Sequence, residues 1–152
     1  TLFPYTTLFR SRLTLIFVGF VFIYSSVTYA VEYDSGVVGK VILQTEVTSN
    51  GDPIAYLKTN KPKITVMTVD IASGAKTGWH SHPVPVYAYV MSGQLTVELE
   101  SGKKTEFKEG DAIVEVMNVQ HNGFNTGNIP VKLVVFYTGG KEIPNVLKAD
   151  KP

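Results

Sequence analysis

The chain contains no cysteine. Disulfides, zinc ribbons, iron–sulfur clusters and thiol catalysis are thereby excluded, and any metal must be held by nitrogen and oxygen ligands. Net charge is nearly absent as well, since 14 Lys and Arg against 13 Asp and Glu leave a formal +1. No run of basic residues could track a phosphate backbone, so nucleic acid is not expected as a partner. From Val31 onward there is no long segment of helical period, no solenoid repeat and no low-complexity linker. What remains, 44% hydrophobic and 18% charged over 152 residues, is the composition of one ordinary globular domain.

Residues 1–11, TLFPYTTLFRS, lack an initiating methionine and resemble a sequencing-library adapter translated as coding DNA, so an artefact is expected there. Residues 12–30 place an apolar run from Leu13 to Tyr24 behind Arg12 and end in Ser25-Ser26-Val27-Thr28-Tyr29-Ala30. A basic start, an apolar middle and small residues before a cut after Ala30 make a secretory signal peptide. A retained anchor is the competing reading, but it would need about 20 uniformly apolar residues followed by a charged stop. The expectation is an exported protein, periplasmic or secreted, free of the membrane once cleaved.

The mature chain reads as short β-branched and aromatic stretches punctuated by Gly, Pro, Asn and Asp. Strands are predicted at 37–47, 64–71, 86–91, 95–100, 105–107, 112–116 and 131–138. Leu95, Val97 and Leu99 alternate with Thr96, Glu98 and Glu100, which predicts one set inward and the other in solvent. Ser101-Gly102 reads as a two-residue hairpin. Regular short strands with turn signals imply an all-β sandwich or barrel over 37–140. The segment 141–152 reads as a loosely ordered tail.

All three histidines fall in two short segments, His80-Ser81-His82 and His121. Residues i and i+2 of an extended segment point the same way, so His80 and His82 can reach one ion, with His121 delivered by a neighbouring strand. A lone histidine is more often a surface or hydrogen-bonded residue than a ligand. Three in this arrangement point to a metal site.

Here the chain resembles the cupin superfamily. Gly74, His80, His82 and Gly93 match its first motif in register, and Gly110, His121 and Asn125 match its second, with Val116 and Asn118 standing where Pro and Gly are usual. The resemblance implies a single double-stranded β-helix, or jelly-roll, barrel with one divalent transition metal, Fe, Mn, Zn, Ni or Cu, on His80, His82 and His121. Where most metal-binding members carry a glutamate ligand this chain has Val86, between Pro85 and Tyr87. Glu115 and Gln120 are the further candidate ligands or proton carriers, although Glu115 beside Val114 and Val116 reads more readily as solvent-facing. Gly74, Gly93 and Gly110 are read as turn residues and Asn125 as a hydrogen-bonding one. The apolar stretch 37–43 would leave an exposed edge and suggests a homodimer. Three neutral imidazoles would leave a metal its full charge and open positions. The resulting expectation is an oxygenase acting on a small phenolic or diketone-like compound, with a non-catalytic sensor or carrier of a small ligand as the alternative.

Overall fold

The structure, a computed structural model, describes residues 35–149. The expectations for 1–11 and 12–30 lie outside the described residues. Nine strands form two antiparallel sheets, and the described residues contain no helix. In chain order they are β1 Pro62–Ile71, β2 His80–Ser81, β3 Val86–Ser92, β4 Gln94–Leu99, β5 Lys104–Lys108, β6 Ala112–Val114, β7 His121–Phe124, β8 Val131–Gly140 and β9 Leu147–Lys148. One sheet runs β1-β8-β3-β6 and the other β5-β4-β7-β2-β9. This is the all-β jelly-roll architecture read from the sequence.

Period-two alternation builds the interior. Val131, Leu133, Val135 and Tyr137 on β8 are buried, as are Val86, Ala88 and Val90 on β3 and Leu95, Val97 and Leu99 on β4. They join Ile71, Ile113 and Val116 in one core, each large aliphatic side chain contributing about 1.5–3 kcal/mol through burial. The outer face of the first sheet stays apolar and open, with Ile64, Val66, Tyr89, Met91 and Phe136 all exposed.

Four local expectations are corrected. The stretch 37–47 forms no strand; bridge positions occur only at Val38 and Val47, and Val37, Val38, Val41, Ile42 and Leu43 are exposed. Apolarity alone does not make a strand without a ladder to join, and β1 pairs only with β8. Thr96 is buried at 4% exposure and Glu98 is half-buried, so that strand does not divide cleanly between core and solvent. The hairpin loop after β4 has three residues rather than two: Gly102 N–H donates to the Leu99 carbonyl and Leu99 N–H to that of Lys103, with Gly102 at φ +84°. This is a turn closed by a left-handed residue. Finally, the described part of the expected loose tail, 141–149, returns to the barrel, where Leu147 and His80 lie on paired strands, Ile143 packs on the core and Ala149 N–H donates to the Trp79 carbonyl.

Candidate metal centre

β2 and β7 run side by side, and their register sets His80 opposite His121. Antiparallel partners keep their Cβ atoms about 4.5–5.5 Å apart, so both imidazoles share one patch of barrel interior. His82 follows just beyond β2, where its carbonyl accepts the Asn118 N–H at 2.9 Å. Asn118 has φ +59°. Asparagine tolerates the left-handed region better than other side-chain-bearing residues, which lets the chain make this turn without a glycine. The ring centroids lie 4.3 Å apart for His80 and His121 and 4.9 Å for the other two pairs. One ligand atom from each histidine lies within 4.8 Å of the others.

Backbone carbonyls fix the tautomer of all three rings. The Nδ1–H of His80 donates to Gly78 at 2.8 Å, that of His82 to Asn145 at 2.8 Å and that of His121 to Val119 at 2.9 Å. A carbonyl only accepts, so Nδ1 carries the hydrogen and Nε2 presents a lone pair in each neutral ring. His121 Nε2 is buried and has no hydrogen-bond partner. An orphaned buried polar atom costs about 1–3 kcal/mol, a cost that coordination to an ion would remove. The donor set and this orphan nitrogen fit a divalent transition metal.

Glu115 faces inward. Its Oε2 is 3.1 Å from His121 Nε2 and 3.7 Å from His82 Nε2, with only 13% of its side chain exposed. The nearer contact is one of charge, because Nε2 finds no directed hydrogen bond there. The sequence suggested solvent for this carboxylate because Val114 and Val116 flank it. The inward face of β6 is set by Ile113, opposite the buried Ala88. Two residues on, Glu115 follows Ile113 inward, its N–H donating to the Val86 carbonyl at 2.9 Å. Gln120 is not among the residues lining the pocket that His80, Glu115 and His121 share.

Electrostatics divides the histidines. Burial holds His80 and His82 below their ordinary pKa, with Glu115 opposing that effect in both. Burial also disfavours a charge on His121, but the adjacent Glu115 carboxylate outweighs it and raises this pKa. Burial pushes the Glu115 carboxyl up, yet the histidines, His121 foremost, hold it below the usual range.

The pocket at the cluster measures about 40 Å³ and is bounded by His80, Glu115 and His121 together with Ile71, Leu95, Val97 and Leu133. A second hollow of about 100 Å³, with Ile54, Pro85, Tyr87 and Met117 in its lining, also borders Glu115. Two contributors were not singled out from the sequence. Tyr137, opposite Val86 on β8, brings its ring centroid to 5.6 Å from that of His82, and burial followed by the Glu115 charge raises its phenol pKa. Asn145 acts through its backbone carbonyl, which no sequence pattern marks. The remaining motif residues lie around this centre: Gly74, Gly93 and Gly110 have φ of +76°, +80° and +91°, and Asn125 is buried.

The Cupin domain family profile, Cupin_2, matches residues 67–137. No curated protein matches the chain. Among solved structures, the DMSP lyase DddQ from Ruegeria pomeroyi is similar at TM-score 0.50 and 17% identity, over 65% of this chain and 47% of that one. A conserved double-stranded β-helix protein from Klebsiella pneumoniae shares 27% identity over 70% of this chain and 92% of its own, at TM-score 0.48. An oxalate oxidase in complex with glycolate shares 24% identity at TM-score 0.46, over 55% of this chain and 45% of that one. The chain thus spans about half the length of the lyase and the oxidase. Residues 67–137 of the jelly-roll barrel, which carry all three histidines, thus match the Cupin domain family.

Proposed function

We propose that the protein is an exported metal-dependent cupin oxygenase in which His80, His82 and His121 hold one divalent transition metal beside a small phenolic or diketone-like substrate. The observation that carries the metal is the set of three Nδ1–carbonyl bonds, which leaves three Nε2 lone pairs for one ion. A bound ion of this kind supplies Lewis acidity, and a redox-active one also electron transfer to a small oxidant. The chain's own residues then have distinct tasks. Gly78, Val119 and Asn145 orient the imidazoles. Ile71, Leu95, Val97 and Leu133 keep bulk water from the inner pocket, whose 40 Å³ suits a molecule of two or three heavy atoms. The outer hollow of 100 Å³ suits the body of the organic substrate. Glu115, which borders both hollows, and Tyr137, whose ring lies 5.6 Å from that of His82, are the nearby protein groups able to take or give a proton.

Iron, manganese, zinc, nickel and copper all suit imidazole ligands, and raw affinity favours copper and zinc. Export rests on the pattern of residues 12–30. Pairing into a homodimer through the exposed face of Ile64, Val66, Tyr89, Met91 and Phe136 belongs to the same reading, and sedimentation analysis of protein beginning at Val31 tests it.

Metal content decides the first step. Protein purified without chelator should carry close to one equivalent per chain, and a His80→Ala/His82→Ala/His121→Ala variant none. Equal content in both sinks the site. Loaded protein should then consume oxygen with a catechol or a β-diketone. No uptake, together with a shift of the metal's spectrum by small enols or carboxylates, would favour the carrier.

A further inference from the structure

We infer that Glu115 is a fourth ligand, a carboxylate contributed across the β3–β6 ladder from Val86. The inference rests on the metal reading above and deepens it. β3 and β6 pair Ala88 with Ile113 and Tyr87 with Val114. One further step sets Val86 opposite Glu115, and the bond from Glu115 N–H to the Val86 carbonyl, 2.9 Å, continues the ladder to that step. Ala88 and Ile113 both point into the core. Val86, 1% exposed, and Glu115, beside two histidines, therefore occupy equivalent inward positions on facing strands. An acidic residue at either one projects into the same space from a starting point shifted by about 4.5–5.5 Å.

The distances from Glu115 to two of the three histidines agree with coordination. Two ligand atoms at about 2.0–2.2 Å from a shared tetrahedral ion lie about 3.4 Å from each other. Glu115 Oε2 lies 3.1 Å and 3.7 Å from the Nε2 atoms of His121 and His82, on either side of that spacing. Those nitrogens are the ones the carbonyl bonds leave as donors. An anionic oxygen among three neutral imidazoles lowers the net charge of a divalent centre to +1. It also moves the set from all-nitrogen toward the mixed nitrogen and oxygen ligation that harder ions accept.

Exchanging the pair is the test. Zn(II) affinity, measured by competition with a chromophoric chelator, and the visible spectrum of the Co(II)-loaded protein are compared for wild type, Glu115→Gln, Glu115→Val and the exchange Val86→Glu/Glu115→Val. The exchange preserves composition and the number of buried carboxylates. Expected are an affinity loss of about tenfold or more in both single variants, a changed Co(II) spectrum, and recovery in the exchange to within a few-fold of wild type. Unchanged affinity and spectrum in Glu115→Gln overturn the inference while leaving the histidine site intact. So does a loss that a folded exchange variant fails to restore, which would mark Glu115 as a structural partner of His121. If the exchange does not fold, the near-isosteric Gln variant decides alone. Failure of wild type itself to bind Zn(II) or Co(II) removes the metal reading and the inference together.

Discussion

Replacing Asn125 by Ala should destabilise the barrel by about 2–6 kcal/mol while leaving the metal site able to bind. Asn125 is 1% exposed. Its Nδ2 donates to the carbonyls of Ile71 at 3.0 Å and Ile129 at 2.7 Å, and its Oδ1 accepts from Gly127 N–H at 2.9 Å. The side chain thus ties the end of β1 to the start of β8 through the loop between β7 and β8. Truncation orphans three backbone groups. The Ile71 carbonyl is buried and loses about 1–3 kcal/mol, whereas the other two bonds are partly open to water and lose about 0.5–1.5 kcal/mol each. Against a typical stability of about 5–15 kcal/mol the sum is large. Urea unfolding of the metal-free protein measures it, with Zn(II) affinity as an independent readout. Asn125→Asp should do at least as much harm, since it sets a carboxylate against two carbonyls while keeping the acceptor for Gly127. A loss under about 1 kcal/mol, or an Asp variant as stable as wild type, would refute the account. Lost metal binding at full stability would instead make Asn125 part of the site.

Thr96 Oγ1 is buried without a partner, so Thr96→Val, which keeps the shape and removes the orphan, should stabilise by about 1 kcal/mol; a lower urea midpoint would contradict this. Gly93 and Gly110 have φ of +80° and +91°, but a Cβ at Gly93 would lie 2.8 Å from the Pro130 carbonyl oxygen, whereas nothing lies within 4 Å at Gly110. Gly110→Ala should therefore cost about 1–2 kcal/mol for backbone conformation alone, and Gly93→Ala clearly more; equal costs would mean the β8 backbone yields freely. In the metal-free protein, nuclear magnetic resonance at pH 6.5 should find His121 mostly protonated and His80 and His82 mostly neutral. The raised His121 pKa contributes stability that is complete below its unfolded value near 6.5 and is lost as pH rises through the folded one. The depressed values of His80 and His82 act oppositely, withdrawing stability as pH falls below 6.5. Glu115→Gln should return His121 to below 6.5, and three coincident titrations in wild type would refute the division.

Fold class was legible because the core strands announce themselves. Val131 to Tyr137 alternates almost perfectly, and Val86, Ala88 and Val90 do the same. The histidine cluster was legible because its spacing survives folding. The face of Glu115 was not, since apolar neighbours on both sides argue for one face while Ile113, two positions earlier, determines the other. Only the pairing with β3 resolves that conflict. β2 and β9 have two residues each, too few to display a period, and β9 exists only because β2 offers it an edge. The stretch 37–47 failed in the opposite sense, with strong β-branched character and no ladder to receive it.

His82 takes its orientation from the carbonyl of Asn145, 63 positions later in the chain. The final described residues are thereby a wall of the pocket rather than trailing chain. Such a bond transmits free energy in both directions. Whatever immobilises the His82 ring from within the barrel steadies β9 on its rim, and whatever lifts β9 from β2 releases the ring. The rim consequently serves as a gauge of what the interior holds. Hydrogen exchange at the Ala149 N–H, bonded to the Trp79 carbonyl, would read occupancy of the centre with no probe placed inside it.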